Sequence, residues 1–184
     1  NDSGYIVKQN GVKTNKTSFS GSKPVKEIED DGTISEYTYY TNADGKNLDE
    51  QIKTSKEINA DGKVTAYTKY SYDDFGNVTE TIDYIEGTKT ANTYFTDGLF
   101  KGELKSTTES ILKVSDTYEI LSESVQSRSD YSYQYDADNA AETKSESCTQ
   151  TITKADGSED KVTSGSTYDI MGRLARETDS RGYQ

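Results

Sequence analysis

Histidine and tryptophan are absent from this 184-residue sequence, and cysteine, proline and methionine occur once each. Each absence removes a class of function. Without an imidazole there is no Ser-His-Asp or Cys-His nucleophile and no histidine metal cluster. The single Cys148 excludes an internal disulfide; it sits in Ser145-Glu146-Ser147-Cys148-Thr149-Gln150 without a basic neighbour to form a thiolate, so an inert thiol is expected. No run approaches the roughly 18 apolar residues of a membrane helix, so no membrane insertion is expected. No signal peptide precedes Asn1, and a start at Asn instead of Met reads as an excised or processed piece. No Gly-rich loop leads into a helix, which leaves nucleotide binding without support.

Hydrophobic residues make up only 30% of the chain. The mean hydropathy of -0.95 leans towards disorder by average composition. The kind of apolar residue points the other way. There are 15 Tyr against 4 Phe, and Tyr and Thr suit a half-buried pleated surface. A folded β protein with a thin, tyrosine-built core is expected, because a Tyr ring can be buried while its hydroxyl reaches water or a carbonyl. The formal charge of -12 disfavours nucleic-acid phosphates as a partner and suits a soluble protein working outside the cell.

Self-similarity organises the chain. A hydrophobic residue, three others, a Gly, one more and a second hydrophobic residue recur five times, as Ile28/Gly32/Ile34, Ile58/Gly62/Val64, Tyr72/Gly76/Val78, Tyr94/Gly98/Phe100 and Tyr168/Gly172/Leu174. Two relaxed copies run from Tyr40 through Gly45 to Leu48 and from Tyr135 to Asn139, where Asn, tolerant of positive φ, takes the Gly place. This spacing fits a three-residue hairpin loop built on a type I turn with a left-handed G1 bulge. Asp73 and Asp169 then fall at the first turn position, which favours Asp, and Gly76 and Gly172 fall where φ must be positive. Tyr72 is predicted to face Val78 across the hairpin, and Tyr168 to face Leu174.

The flanks alternate as strands do: Thr68, Tyr70 and Tyr72, then Val78, Ile82 and Tyr84 about Glu80, then Tyr131, Tyr133 and Tyr135. Ser106 to Ser124 is the best helix candidate, yet Ser and Thr crowd it and no capping box opens it, so strand pairs are expected there. Turn signals recur at intervals of 10 to 20 residues between Gly32 and Gly172, with a longer interval from Gly102 to Asn139. Such spacing predicts an all-β, antiparallel meander of hairpins in which each unit buries its face against its neighbours. Residues 1–24, rich in Ser, Thr, Gly and Lys from Asn10 to Lys23, read as a partly flexible leader or linker, and residues 25–184 as the repeat region.

Carboxylates are plentiful without forming a legible site. Asp30-Asp31 and Asp73-Asp74 are adjacent pairs, whose side chains face opposite ways on a strand, whereas glycosidase chemistry needs two held across a cleft. Asp136, Asp138 and Glu142, or Asn42 with Asp44, cluster oxygen ligands, but neither set fits a twelve-residue calcium loop, and Asx-type turns account for both. No catalytic, metal or cofactor-binding residue is assigned, and no enzymatic activity is expected.

Tyr72-Asp73-Asp74-Phe75-Gly76-Asn77 and Tyr168-Asp169-Ile170-Met171-Gly172-Arg173-Leu174 resemble the YD repeat of the Rhs family. That pattern is Tyr-Asp, two variable residues and Gly-Arg-Leu, followed by Thr-Asp and Gly, here Thr178, Asp179 and Gly182. The chain stops before the next Tyr-Asp is due, so the repeat region reads as cut short at its C-terminal end. The family includes bacterial polymorphic toxins, the insecticidal toxin-complex component and teneurins, whose YD repeats wind a long sheet into a hollow shell. The resemblance implies a segment of a spiralling sheet or open shell. It further implies a secreted or cell-surface, bacterial scaffold whose partners are the remainder of the parent chain and a toxin cargo or adhesive domain. The competing expectation is an extracellular module that binds carbohydrate or protein through exposed rows such as Tyr131 and Tyr133.

Overall fold

The computed structural model describes residues 5–9, 12–41, 44, 48–179 and 181, with side chains described from Lys16 onward. All regular structure among them is strand: β1 (Tyr5–Gln9), β2 (Val12–Ser20), β3 (Lys23–Ile28), β4 (Ile34–Tyr39), β5 (Ile52–Ile58), β6 (Val64–Tyr72), β7 (Val78–Asp83), β8 (Thr88–Tyr94), β9 (Leu104–Val114), β10 (Ile120–Tyr135), β11 (Lys144–Thr153), β12 (Glu159–Tyr168) and β13 (Leu174–Thr178). Each strand neighbours the next in chain order, which makes the fold an antiparallel meander. The chain packs as two units, Asn1–Lys89 with Lys113–Leu121, and Thr90–Leu112 with Ser122–Gln184.

Tight hairpins set the registers. Six turns among the described residues close with the same two main-chain bonds: the first turn residue donates to the fifth, and the fourth donates back to the first. They start at Glu29, Asn59, Asp73, Ser115, Lys154 and Asp169. In five of them the fourth residue is Gly32, Gly62, Gly76, Gly157 or Gly172, with φ of 89°, 81°, 85°, 82° and 74°. A residue with a β-carbon is strained there by contact with its own carbonyl. The cross-strand pairs follow as the spacing predicts: Ile28 opposite Ile34, Ile58 opposite Val64, Tyr72 opposite Val78 and Tyr168 opposite Leu174.

Two copies of the repeat are built differently. After Tyr94 the pairing continues to Phe95, whose N–H donates to Glu103 O at 2.9 Å, so Gly98 lies inside a wider loop. Packing holds that loop open, with Phe95 and Phe100 at ring-centroid distances of 5.9 and 5.5 Å from Tyr133. After Tyr135 the closing bond runs from Asp136 N to Thr143 O at 2.8 Å. The chain bends there through successive turns, Asn139 is not among the positive-φ residues, and its side chain accepts from the Ala141 and Glu142 amides instead. In the Tyr40 copy, Gly45 lies outside the described residues; the loop closes from Tyr40 N to Gln51 O at 2.9 Å.

Ser106 to Ser124 forms the facing parts of β9 and β10, as the Ser and Thr content predicts. The segment that reads as a leader carries β1 and β2 in its described part and Pro24 inside β3. Pro24 leaves its carbonyl to the Tyr39 hydroxyl, which donates to it at 2.8 Å.

The apolar interior is thin. Among the described residues the buried hydrophobic side chains are Leu48, Ile82 and Leu112, and most of the described tyrosines, Tyr135 excepted, form the next layer as half-buried residues.

Candidate functional site

The Asp of each Tyr-Asp copy organises its own turn. Asp169 Oδ1 accepts from the Met171 and Arg173 amides at 2.9 Å each, while the Arg173 guanidinium folds back onto Oδ2 at 2.8 Å from Nε. Asp73 does the same with Phe75 N and Asn77 N at 2.9 Å, and Asn77 Nδ2 takes the place of the arginine at 3.0 Å. The pairing of Asp with Arg or Asn four residues later is thus a turn clamp. Hydrogen bonding to Arg173 holds the Asp169 carboxyl below its ordinary range. At Asp73 partial burial pushes upward, but the bonds from Asn77, Phe75 and Gly76 outweigh it and the net direction is down.

Tyrosine hydroxyls cap carbonyls while their rings cover the sheet. Tyr40 donates to Tyr70 O at 2.9 Å, Tyr72 to Ile52 O at 3.0 Å and Tyr133 to Leu104 O at 3.0 Å. The Tyr40 and Tyr72 rings meet edge to face at 5.7 Å. Burial raises the phenol pKa at Tyr72 and at Tyr133, in the second case with help from the Glu103 and Glu146 carboxylates.

One face of β10 to β13 gathers the residues closest to a binding site. Tyr131, Cys148 and Ser164 are register neighbours, and so are Tyr133, Glu146, Ser166 and Glu177. They line a shallow depression open to solvent. Gly165 keeps the strands close, since a β-carbon there would stand 3.1 Å from Glu146 O. Tyr168 donates to Glu146 Oε1 at 2.7 Å, and that bond raises the Tyr168 phenol. The depression thus offers an aromatic flank, carboxylate acceptors and serine hydroxyls, suited to a ligand rich in donors. Tyr135, the third of the row, is 55% exposed and lies outside this depression.

Asp31, Asp44 and Asp136 serve turns, and Glu142 serves an ion pair. Asp31 accepts from Thr33 N at 2.8 Å, Asp136 from Asp138 N at 3.0 Å, and Glu142 pairs with Arg176 at 3.2 Å. Asp44 accepts from Thr41 N and Oγ1, and Asn42 lies outside the described residues. Asp136, Asp138 and Glu142 do not converge, and among the described residues no three acidic or thiol groups are grouped to hold a metal ion.

Spacing does not reveal Tyr118. It is the fourth residue of the Ser115 turn, at φ 64°, where the other five turns carry glycine. For an aromatic residue this conformation costs about 1–3 kcal/mol. Its ring meets Tyr67 edge to face at 5.0 Å and Tyr84 at 6.2 Å, and the Lys56 ammonium stands 5.7 Å from it and 4.6 Å from Tyr67. Aromatic pairs of this kind are each worth about 0.5–1.5 kcal/mol, enough together to offset the strain.

No protein-family model matches the chain, and no curated protein matches it by sequence. Solved structures do. The chain is similar to part of the Tc holotoxin pore of Photorhabdus luminescens carrying a TccC3 mutation, at 12% identity and a TM-score of 0.34 over 96% of its length. It matches a crystal structure of TcdB2-TccC3-TEV with the same values. In both cases it spans 8% of the length of the other chain.

Proposed function

We propose that this chain is a non-enzymatic structural segment of a YD-repeat, Rhs-type protein, exported by a bacterium to its surface or surroundings. In this reading it is wall material of a β-shell that encloses or presents a toxin or adhesive domain, and its partners are the remainder of the parent chain and that domain. The observation that carries the reading is the reuse of one hairpin, closed by the same two bonds six times among the described residues, with the Asp clamp at both Tyr-Asp copies. Such a unit builds sheet by repetition and leaves each face to be covered by neighbours. Limited proteolysis of the full-length parent tests it: Gly76→Val with Gly172→Val should expose to protease a domain that the wild-type parent protects. Equal cleavage in both would overturn the shell reading.

A second reading has a specific observation behind it, the depression flanked by Tyr131 and Tyr133. In that reading the chain is an extracellular module that binds carbohydrate or protein there. Saturable binding on a glycan array or in a pull-down, abolished by Tyr131→Ala with Tyr133→Ala, would favour it over the scaffold.

A further inference from the structure

We propose that residues 113–121 form a releasable strap and that Tyr118 is its fastening. The chain leaves the second packing unit after Leu112 and rejoins it at Ser122; Lys113–Leu121 between them belongs to the first. Within the first unit the strap turns at Ser115, whose hydroxyl oxygen accepts from Thr117 N at 3.3 Å and Glu119 N at 3.0 Å, as Asp73 and Asp169 do in their turns. The turn is therefore complete without any need for tyrosine at its fourth position. Glycine would serve the backbone better there, as it does in the five sister turns.

What tyrosine adds is the ring. Tyr67 on β6 and Lys56, its register partner on β5, form the receiving surface with Tyr84, whose N–H donates to Tyr67 O at 2.9 Å. Tyr67 and Tyr84 already stack at 4.8 Å and 33°, and the Tyr118 ring stands at 89° to Tyr67. A strained backbone held by a removable ring contact has two consequences. The strap should open as a local unit without unfolding β5 to β7, and the turn should relax once the ring has left.

Native-state hydrogen exchange on the full chain, with wild type beside Tyr67→Ala, Tyr118→Ala and Tyr118→Phe, tests this. Tyr67→Ala leaves every residue of the turn in place, yet it should speed exchange of the Tyr118 and Glu119 amides by up to about tenfold, the equivalent of one lost ring pair. Tyr118→Ala, which keeps a β-carbon at positive φ but removes the ring, should speed strap exchange, while Tyr118→Phe leaves it unchanged. Unaltered strap exchange in Tyr118→Ala would overturn the proposal, because the tyrosine would then be an unfavourable turn residue and nothing more. So would a Tyr67→Ala effect spread evenly over β5 to β7 and the strap, which would mark global destabilisation instead of release.

Discussion

At the scale of the residue, glycine at positive φ and the clamping aspartate explain most of the turn chemistry. Gly172 sits at φ 74° with nothing within 4 Å of where a β-carbon would stand, so a substitution there tests conformation free of packing. Gly172→Ala is expected to destabilise by about 1 kcal/mol in urea melts. Gly165 is the converse case: no positive φ constrains it, but the Glu146 carbonyl crowds it. The clamp carboxylates make a second prediction. Asp73 and Asp169 are held below the ordinary carboxyl value by bonds to their turns. The folded state therefore binds their protons less readily than the unfolded chain. Their stabilisation is complete above about pH 4 and is lost as the pH falls through the depressed folded values. Urea midpoints measured against pH should drop in that acid range, and the drop should shrink in Asp73→Asn with Asp169→Asn.

Elements are legible from the sequence where turn residue and strand pattern agree. At Tyr72 and Tyr168 the Asp, the Gly and the flanking hydrophobic residues all name one hairpin, and the observed registers match it. The Lys154 hairpin has the same bonds but lies between Thr153 and Glu159, so a search for hydrophobic flanks passes over it. The Ser115 hairpin hides in the long interval after Gly102 because Tyr118 replaces the marker glycine. The Tyr94 and Asn139 copies fail for a tertiary reason, since ring packing on Tyr133 and a longer loop decide the turn there. The depression on β10 to β13 is half legible: the row of Tyr131 and Tyr133 is visible as alternation, whereas Glu146, Ser164 and Glu177 join it only through register. Tyrosine contacts between strands also make an alkaline prediction. Burial raises the phenol pKa of Tyr39, Tyr72, Tyr84 and Tyr133, and the bond to Glu146 raises that of Tyr168. A raised folded value means that this stabilisation is full below about pH 10 and lost as the pH climbs through it. Urea midpoints should fall as the pH rises above about 10, in step with phenolate absorbance, and Tyr72→Phe should lessen the fall.

The molecule as a whole holds its sheet with little aliphatic interior, with Leu48, Ile82 and Leu112 as the buried hydrophobic side chains among the described residues. Rings and their hydroxyl caps must then supply what a deep core supplies elsewhere. Exposed ion pairs such as Lys154 with Asp160, at 2.8 Å with both side chains about half exposed, add little beside them. The alternative is an acidic scaffold stapled by cations. Urea unfolding followed by far-UV circular dichroism, with and without chelator, separates the two most directly. Tyr72→Ala is expected to cost about 2–3 kcal/mol, somewhat below the figure for a fully buried aromatic, with chelator leaving the wild-type midpoint unchanged. A neutral Tyr72→Ala together with unfolding of the wild type by chelator would contradict the tyrosine-built sheet.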